Sequence, residues 1–315
     1  MSATMRIEWR IERTARLLAT LAASALLAAT SCGDDAPPPA PAAGSTTAPP
    51  VATIAAAPPA DGCAQDAPGR PGRAMWRVPI DFGESDVLVD VPAAYRAGVP
   101  LPLVLNLHGG QTTADAPRDH ARYTGLAAVG EAHGFIVVTP ATVGVAMLHA
   151  TLDRVQAQWC IDRERVYAAG LSRGAGLAMS LGCTTPRRVA AIAAVAGLRY
   201  TALACDDTPP LPVIAFHGAA DRIAPFEAAL ESAQRWAAHN GCAPNTRPEP
   251  LVGPVTVTRY AACAGGAAVE FYAIEGDGHT WAGAAQPGSA ADETTQLITA
   301  NELLWAFFAP RRLAR

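Results

Sequence analysis

The chain has 315 residues, half of them hydrophobic, with 24 basic side chains against 28 acidic ones and a formal net charge of −4. Every basic residue is arginine, and that absence of lysine removes P-loop phosphate binding, Schiff-base chemistry and Ser-Lys dyads. With so balanced a charge, and no basic cluster beyond the N-terminal segment and Arg311, Arg312 and Arg315, the composition argues against a nucleic-acid partner.

The first element is an export signal. Arg6, Arg10, Arg13 and Arg16 precede an apolar run over residues 17–29, too short for a comfortable membrane span, followed by Thr30, Ser31, Cys32 and Gly33. Small residues before a cysteine resemble a bacterial lipobox, so residues 1–32 are expected to be a signal peptide and Cys32 to carry lipid. The alternative is cleavage by the ordinary peptidase, with Cys32 unmodified. Residues 33–60 are rich in Pro, Ala, Thr and Gly and hold almost no large apolar side chain; they cannot bury enough surface to offset their ordering entropy and read as a disordered tether. Residues 61–315 suit one α/β catalytic domain. The expected location is periplasmic or extracellular, membrane-anchored through the lipid.

Within that domain, residues 75–80 and 86–91 read as an antiparallel opening pair. Near-continuous apolar runs follow at 103–107, 135–139, 165–169, 189–195, 213–216 and 269–274, the pattern of strands buried on both faces. Helical stretches lie between and after them at 120–133, 145–159, 174–183, 226–240 and 294–308. Alternation of this kind predicts a doubly wound, mostly parallel sheet with helices on both faces and active residues on loops past the carboxyl ends of the strands. If Cys32 takes lipid, six of the seven cysteines remain, an even number in an oxidising space, which suggests three disulfides. Cys242 with Cys263 is the preferred pair, since both flank the segment leading into the strand at Val269. No CxxC or histidine cluster has metal-ligand spacing, and nothing implies a cofactor.

The most informative stretch runs from Val166 through Gly170, Leu171, Ser172, Arg173 and Gly174. An apolar strand enters Gly-x-Ser-x-Gly and leaves into small helical residues, as in a nucleophile elbow, with Ser172 as the nucleophile. Strand and helix crowd together at such a turn, so Gly170 and Gly174 must lack side chains. Serine needs a base, and in this architecture the base follows the last strand. His279 stands there. His108 and His217, at strand ends before glycine, are rivals, although His108 is better read as shaping its own loop; His120, His133, His149 and His239 fall in helical or surface contexts. Chain order Ser, Asp, His gives Asp221 as the orienting carboxylate. Asp277, two residues before His279, is the alternative, more suited to capping its glycine turn. The oxyanion donors are expected to be the N–H of Arg173 and that of Gly110, with Gly109 allowing close approach.

These residues, from about Val87 onward, resemble the poly(3-hydroxybutyrate) depolymerase and feruloyl esterase family of secreted α/β-hydrolases. The motifs that carry the likeness are Leu107-His108-Gly109, the run from Cys160 to Tyr167, Phe216-His217-Gly218-Ala219-Ala220-Asp221 and Gly278-His279-Thr280-Trp281-Ala282-Gly283. The resemblance implies the α/β-hydrolase fold, the triad Ser172, Asp221 and His279, and a substrate that is a small or oligomeric hydroxyacyl ester or a phenolic ester. Three positions depart from the family pattern. Arg173 stands where the family usually has Asn, the segment from Pro140 to Val145 is short, and Ala282 replaces a proline. Trp281 is expected either to stack on an aromatic acyl group or to prop the histidine loop. An acyltransferase with the same triad, and a surface lipoprotein binding a ligand on an inactive hydrolase fold, are the competing functions.

Overall fold

The computed structural model describes residues 62–64, 69–80, 83–110, 115–141, 144–201, 205–244, 247–285 and 293–313. The expected signal peptide, Cys32 and the tether lie outside the described residues. Ten strands form one sheet: β1 (Gly72–Ile80), β2 (Gly83–Val91), β3 (Leu101–Leu107), β4 (Ile136–Pro140), β5 (Ile161–Leu171), β6 (Ala191–Val195), β7 (Val213–Gly218), β8 (Glu249–Val252), β9 (Val255–Tyr260) and β10 (Val269–Ile274). Their spatial order is β1-β2-β4-β3-β5-β6-β7-β10-β9-β8. From β4 to β10 the pairing is parallel, and at both edges it turns antiparallel, through β1-β2-β4 and β10-β9-β8. The central strands are buried on both faces, which is why they read as unbroken apolar runs.

Among the described residues, six helices cover the sheet: α1 (Ala116–Thr124), α2 (Leu126–His133), α3 (Val145–Gln158), α4 (Arg173–Thr184), α5 (Phe226–His239) and α6 (Ala300–Phe308). Side chains of one strand point alternately to the two faces, so the sheet serves two cores. One joins Leu103, Leu105, Ile192 and Val213 to Leu148 and Leu152 of α3, Ala178 of α4 and Trp236 of α5. The other joins Val104, Tyr167, Ile214 and Phe216 to Leu126 of α2 and to Leu304, Trp305 and Phe308 of α6.

Two expectations are corrected here. The helix expected over 120–133 is two helices, broken at Gly125, which adopts φ 65° and caps α1. The final helix starts at Ala300 rather than near Thr294; the segment before it is a non-helical strap, with Thr295 accepting the N–H of Gly283 through its carbonyl and Gln296 Nε2 donating to Ala284 O. The hairpin β8-β9 was not foreseen. Glu249–Val252 is wholly exposed and contains Pro250, so it carries no apolar alternation to read. All six cysteines of the domain pair, as Cys63–Cys160, Cys183–Cys205 and Cys242–Cys263.

Candidate active site

Ser172 sits between β5 and α4 with φ 55° and ψ −115°, a strained backbone for a residue with a side chain. The strain is held by clearances that only glycine gives. A Cβ on Gly170 would lie 2.2 Å from the Gly174 carbonyl carbon, and one on Gly174 would lie 2.1 Å from Leu107 O. On the next loop, a Cβ on Gly197 would reach 2.5 Å from Ser172 O. The elbow is therefore wedged between the chain leaving β3 and the chain leaving β6. Ser172 N–H donates to Val195 O at 2.8 Å, which ties it to the end of β6.

The residues expected as acid and base follow β7 and β10, which pair in the sheet. Asp221 follows β7, its side chain fully buried, and its Oδ1 accepts the N–H groups of Ile223 and Ala224, each at 2.8 Å. Its Oδ2 accepts from His279 Nδ1 at 2.7 Å. That bond directs the other ring nitrogen of His279 away from the carboxylate. His217 adds a second imidazole on the same oxygen: its Nε2 lies 3.4 Å from Asp221 Oδ2 and donates to Ala224 O at 2.9 Å. Burial lowers the pKa of His217, opposed by the Ala224 carbonyl and Asp221, so the ring is the neutral partner that steadies the acid loop. The acid and base loops also touch through their backbones. Ala220 N–H donates to Asp277 O at 2.9 Å, and a Cβ on Gly218 would lie 2.2 Å from that same oxygen.

The rival carboxylate has a different task. Asp277 Oδ2 accepts the N–H of Thr295 at 2.9 Å, pinning the strap beneath the histidine loop. Burial pushes the Asp277 carboxyl up, the Thr295 amide pulls it down and Glu293 pushes it up again.

Arg173 is the first residue of α4, so its N–H belongs to the turn whose donors have no intrahelical acceptor. Gly109 is buried against Ser172, 3.5 Å separating a hypothetical Cβ from the serine Cβ, while Gly110 is exposed with open space beside it. His108 shapes this loop. Its Nδ1 lies 2.8 Å from Gly109 O, and its Nε2 lies 2.7 Å from Ala141 O at the end of β4.

Trp281 is a correction to the substrate-stacking expectation. It is fully buried. Its indole N–H donates to Asn301 Oδ1 at 2.9 Å, its backbone N–H donates to Tyr123 Oη at 2.9 Å, and its ring meets His120 edge-on. The residue props the histidine loop from below and has no face left for a substrate. Sequence reasoning missed Tyr123 and Asn301, the two side chains that hold this prop. Asn301 was in principle readable as a polar residue on the apolar stripe of α6; nothing in the sequence singles out Tyr123.

Comparison with known proteins follows this geometry. The family model described as esterase PHB depolymerase matches residues 141–234, a span that holds Ser172 and Asp221. A probable feruloyl esterase C of Aspergillus niger is 27% identical over 231 residues, covering 69% of this chain and 81% of that protein. Feruloyl esterase C of Emericella nidulans is 25% identical over 238 residues, covering 71% and 83%. The chain is a carboxylic ester hydrolase similar to these proteins. Among solved structures, acetyl xylan esterase from Aspergillus awamori aligns with this esterase at TM-score 0.55 and 15% identity, over 75% of this chain and 99% of the other. Esterase 2 of Thermogutta terrifontis aligns at TM-score 0.53 and 15% identity. At such identity the likeness shows the α/β-hydrolase fold. The position after Ser172 is filled by Arg173, whose side chain is exposed.

Proposed function

We propose that the protein is an exported serine ester hydrolase that works through an acyl-enzyme on Ser172. The observation that carries the reading is the buried 2.7 Å bond between Asp221 Oδ2 and His279 Nδ1, made at the same end of the sheet as a strained, glycine-wedged serine. With Nδ1 donating to the carboxylate, His279 presents Nε2 as a base. It takes the Ser172 hydroxyl proton as the oxygen attacks the ester carbonyl, and Asp221 stabilises the imidazolium that forms. The N–H groups of Arg173 and Gly110 receive the oxyanion, helped by the positive end of α4. His279 then protonates the departing alcohol. Water, activated by the same ring, releases the acid from Ser172 and restores the enzyme.

The substrates proposed are hydroxyalkanoate-type or feruloyl-type carboxylic esters, small or oligomeric, in line with the relatives named above. Three disulfides suit an oxidising compartment outside the cytoplasm, and Cys32 is proposed as the lipid-bearing residue that anchors the protein to a membrane. A serine-reactive fluorophosphonate tests the mechanism: the account expects one label per chain, lost in Ser172→Ala, and no labelling of the folded protein would overturn it. The anchor is tested by fractionation, where Cys32→Ser should move the protein from membrane to soluble fraction.

A further inference from the structure

We infer that His120 is a positioning residue, a buried ring on α1 that fixes the oxyanion loop and the histidine loop against each other. The inference rests on the serine esterase reading above and adds a residue to its machinery. His120 stands on the buried side of α1, 2% exposed, and its ring meets two others. The His108 ring is 6.3 Å away at 69°, and the Trp281 ring is 6.1 Å away at 88°. Both are edge contacts, an arrangement that aromatic rings favour at such distances. His108 opens the loop that carries Gly109 and Gly110, and Trp281 is two residues past His279. In the sheet, the strands that feed these two loops, β3 and β10, are separated by β5, β6 and β7. Three rings in series thus join loops that the sheet itself holds apart.

The helix that carries His120 is tied down by other contacts. Thr124 Oγ1 accepts from Asn106 Nδ2 of β3 at 3.0 Å, and Thr124 O accepts from Asn301 Nδ2 of α6 at 2.7 Å. One turn along from His120, Tyr123 Oη accepts the Trp281 N–H at 2.9 Å, so α1 grips the histidine loop twice. On the other side His108 passes the contact on, its ring nitrogens lying 2.8 Å from Gly109 O and 2.7 Å from Ala141 O. The Nε2 of His120 is buried and has no hydrogen-bond partner among the described residues, a cost that an apolar side chain would avoid. What the imidazole offers instead is a compact flat ring that meets two neighbours at steep angles. Burial, then nearby His108, lowers its pKa to about 3. The ring therefore stays neutral and brings no charge to a site where an oxyanion and an imidazolium form together.

Variants of His120 test this with p-nitrophenyl butyrate at neutral pH, at a temperature where each protein is fully folded. His120→Leu and His120→Gln both remove the ring, one apolar and one polar, so that a failure of either to fold leaves the other. Their kcat/KM should fall by about 10- to 100-fold, since misplacing reacting groups by about 1 Å costs on the order of 10²-fold. Inhibition by phenylboronic acid, which captures Ser172 as a tetrahedral anion, should weaken in step, while inhibition by butyrate stays within about twofold. His120→Phe keeps a ring and should return most of the lost activity. Val129→Ala opens space in the same core from α2 and should lower the thermal midpoint with kcat/KM nearly unchanged. A ring-less variant with wild-type kcat/KM, a His120→Phe no better than the ring-less pair, or an equal loss in Val129→Ala overturns the inference. Failure of the underlying esterase reading looks different: turnover and its inhibition by phenylboronic acid would persist in Ser172→Ala.

Discussion

Ser172 and His279 follow β5 and β10 at one end of the sheet, yet they are held by different means. Around Ser172 the fixing forces are steric: a positive φ, and glycines at 170, 174 and 197 whose missing side chains leave room for backbone to meet backbone. Around His279 they are polar and come from far along the chain. Asp221 bonds the ring, Asp277 pins the strap through Thr295, and Trp281 is suspended between Tyr123 and Asn301. The contrast teaches that a backbone-built half should fail all at once when space is filled, whereas the side-chain-built half should lose function in steps.

The largest effect belongs to the steric half. Gly170→Ala puts a methyl group 2.2 to 2.6 Å from backbone atoms of Gly174 and Ala175, which cannot move as a flexible side chain would. The expected cost is on the order of 4 kcal/mol or more, seen as a large fall in thermal midpoint and soluble yield. Folded, active protein would break the comparison. Next comes Asp221→Asn, which leaves the packing in place but removes the acceptor that selects the His279 tautomer. Its kcat should fall by roughly 10⁴-fold, the size of the corresponding change in a Ser-His-Asp protease, with little change in melting temperature.

How much of this could be read from the amino acids follows the same division. The elbow is a local event, so Gly170, Ser172 and Gly174 announce it within five residues. The order of strand ends then located Asp221 and His279, and the long apolar strands gave the doubly wound sheet. What stayed hidden depends on contacts between distant segments. Trp281 looked equally suited to a substrate or to the core, because nothing near it in sequence shows that Asn301 and Tyr123 wait beneath it. The strap before α6 read as helix because its apolar spacing is tolerable; what unwinds it is hydrogen bonding to Asp277, Gly283 and Ala284. Gly125 was visible as a helix breaker, but its break falls inside a pattern that otherwise continues on both sides.

Smaller effects sharpen the polar half. Tyr123→Phe leaves the buried Trp281 N–H without its acceptor, which should cost about 1–3 kcal/mol in denaturant unfolding and reduce kcat modestly while leaving the fold intact. An unchanged stability would mean that the hydroxyl contributes nothing to the prop. The smallest effect per unit is a pH dependence. Burial, reinforced by nearby His108, holds the His120 pKa at about 3 against an ordinary 6.5, and its Nε2 is buried with no hydrogen-bond partner among the described residues. The native protein thus binds this proton less readily than the unfolded chain. The associated stability is fully present above pH 6.5 and is lost as pH falls from there toward 3, at about 1.4 kcal/mol per pH unit. Urea unfolding across that range should show a shallower acid slope in His120→Gln; identical slopes would remove His120 from the account.

The central claim is that the steric half and the polar half converge on one serine. Hydrolysis of p-nitrophenyl butyrate by the wild-type domain and by Ser172→Ala, measured side by side at neutral pH, tests it most directly. The account predicts a loss of roughly 10⁶-fold in kcat in the variant. Equal rates in both proteins would contradict it.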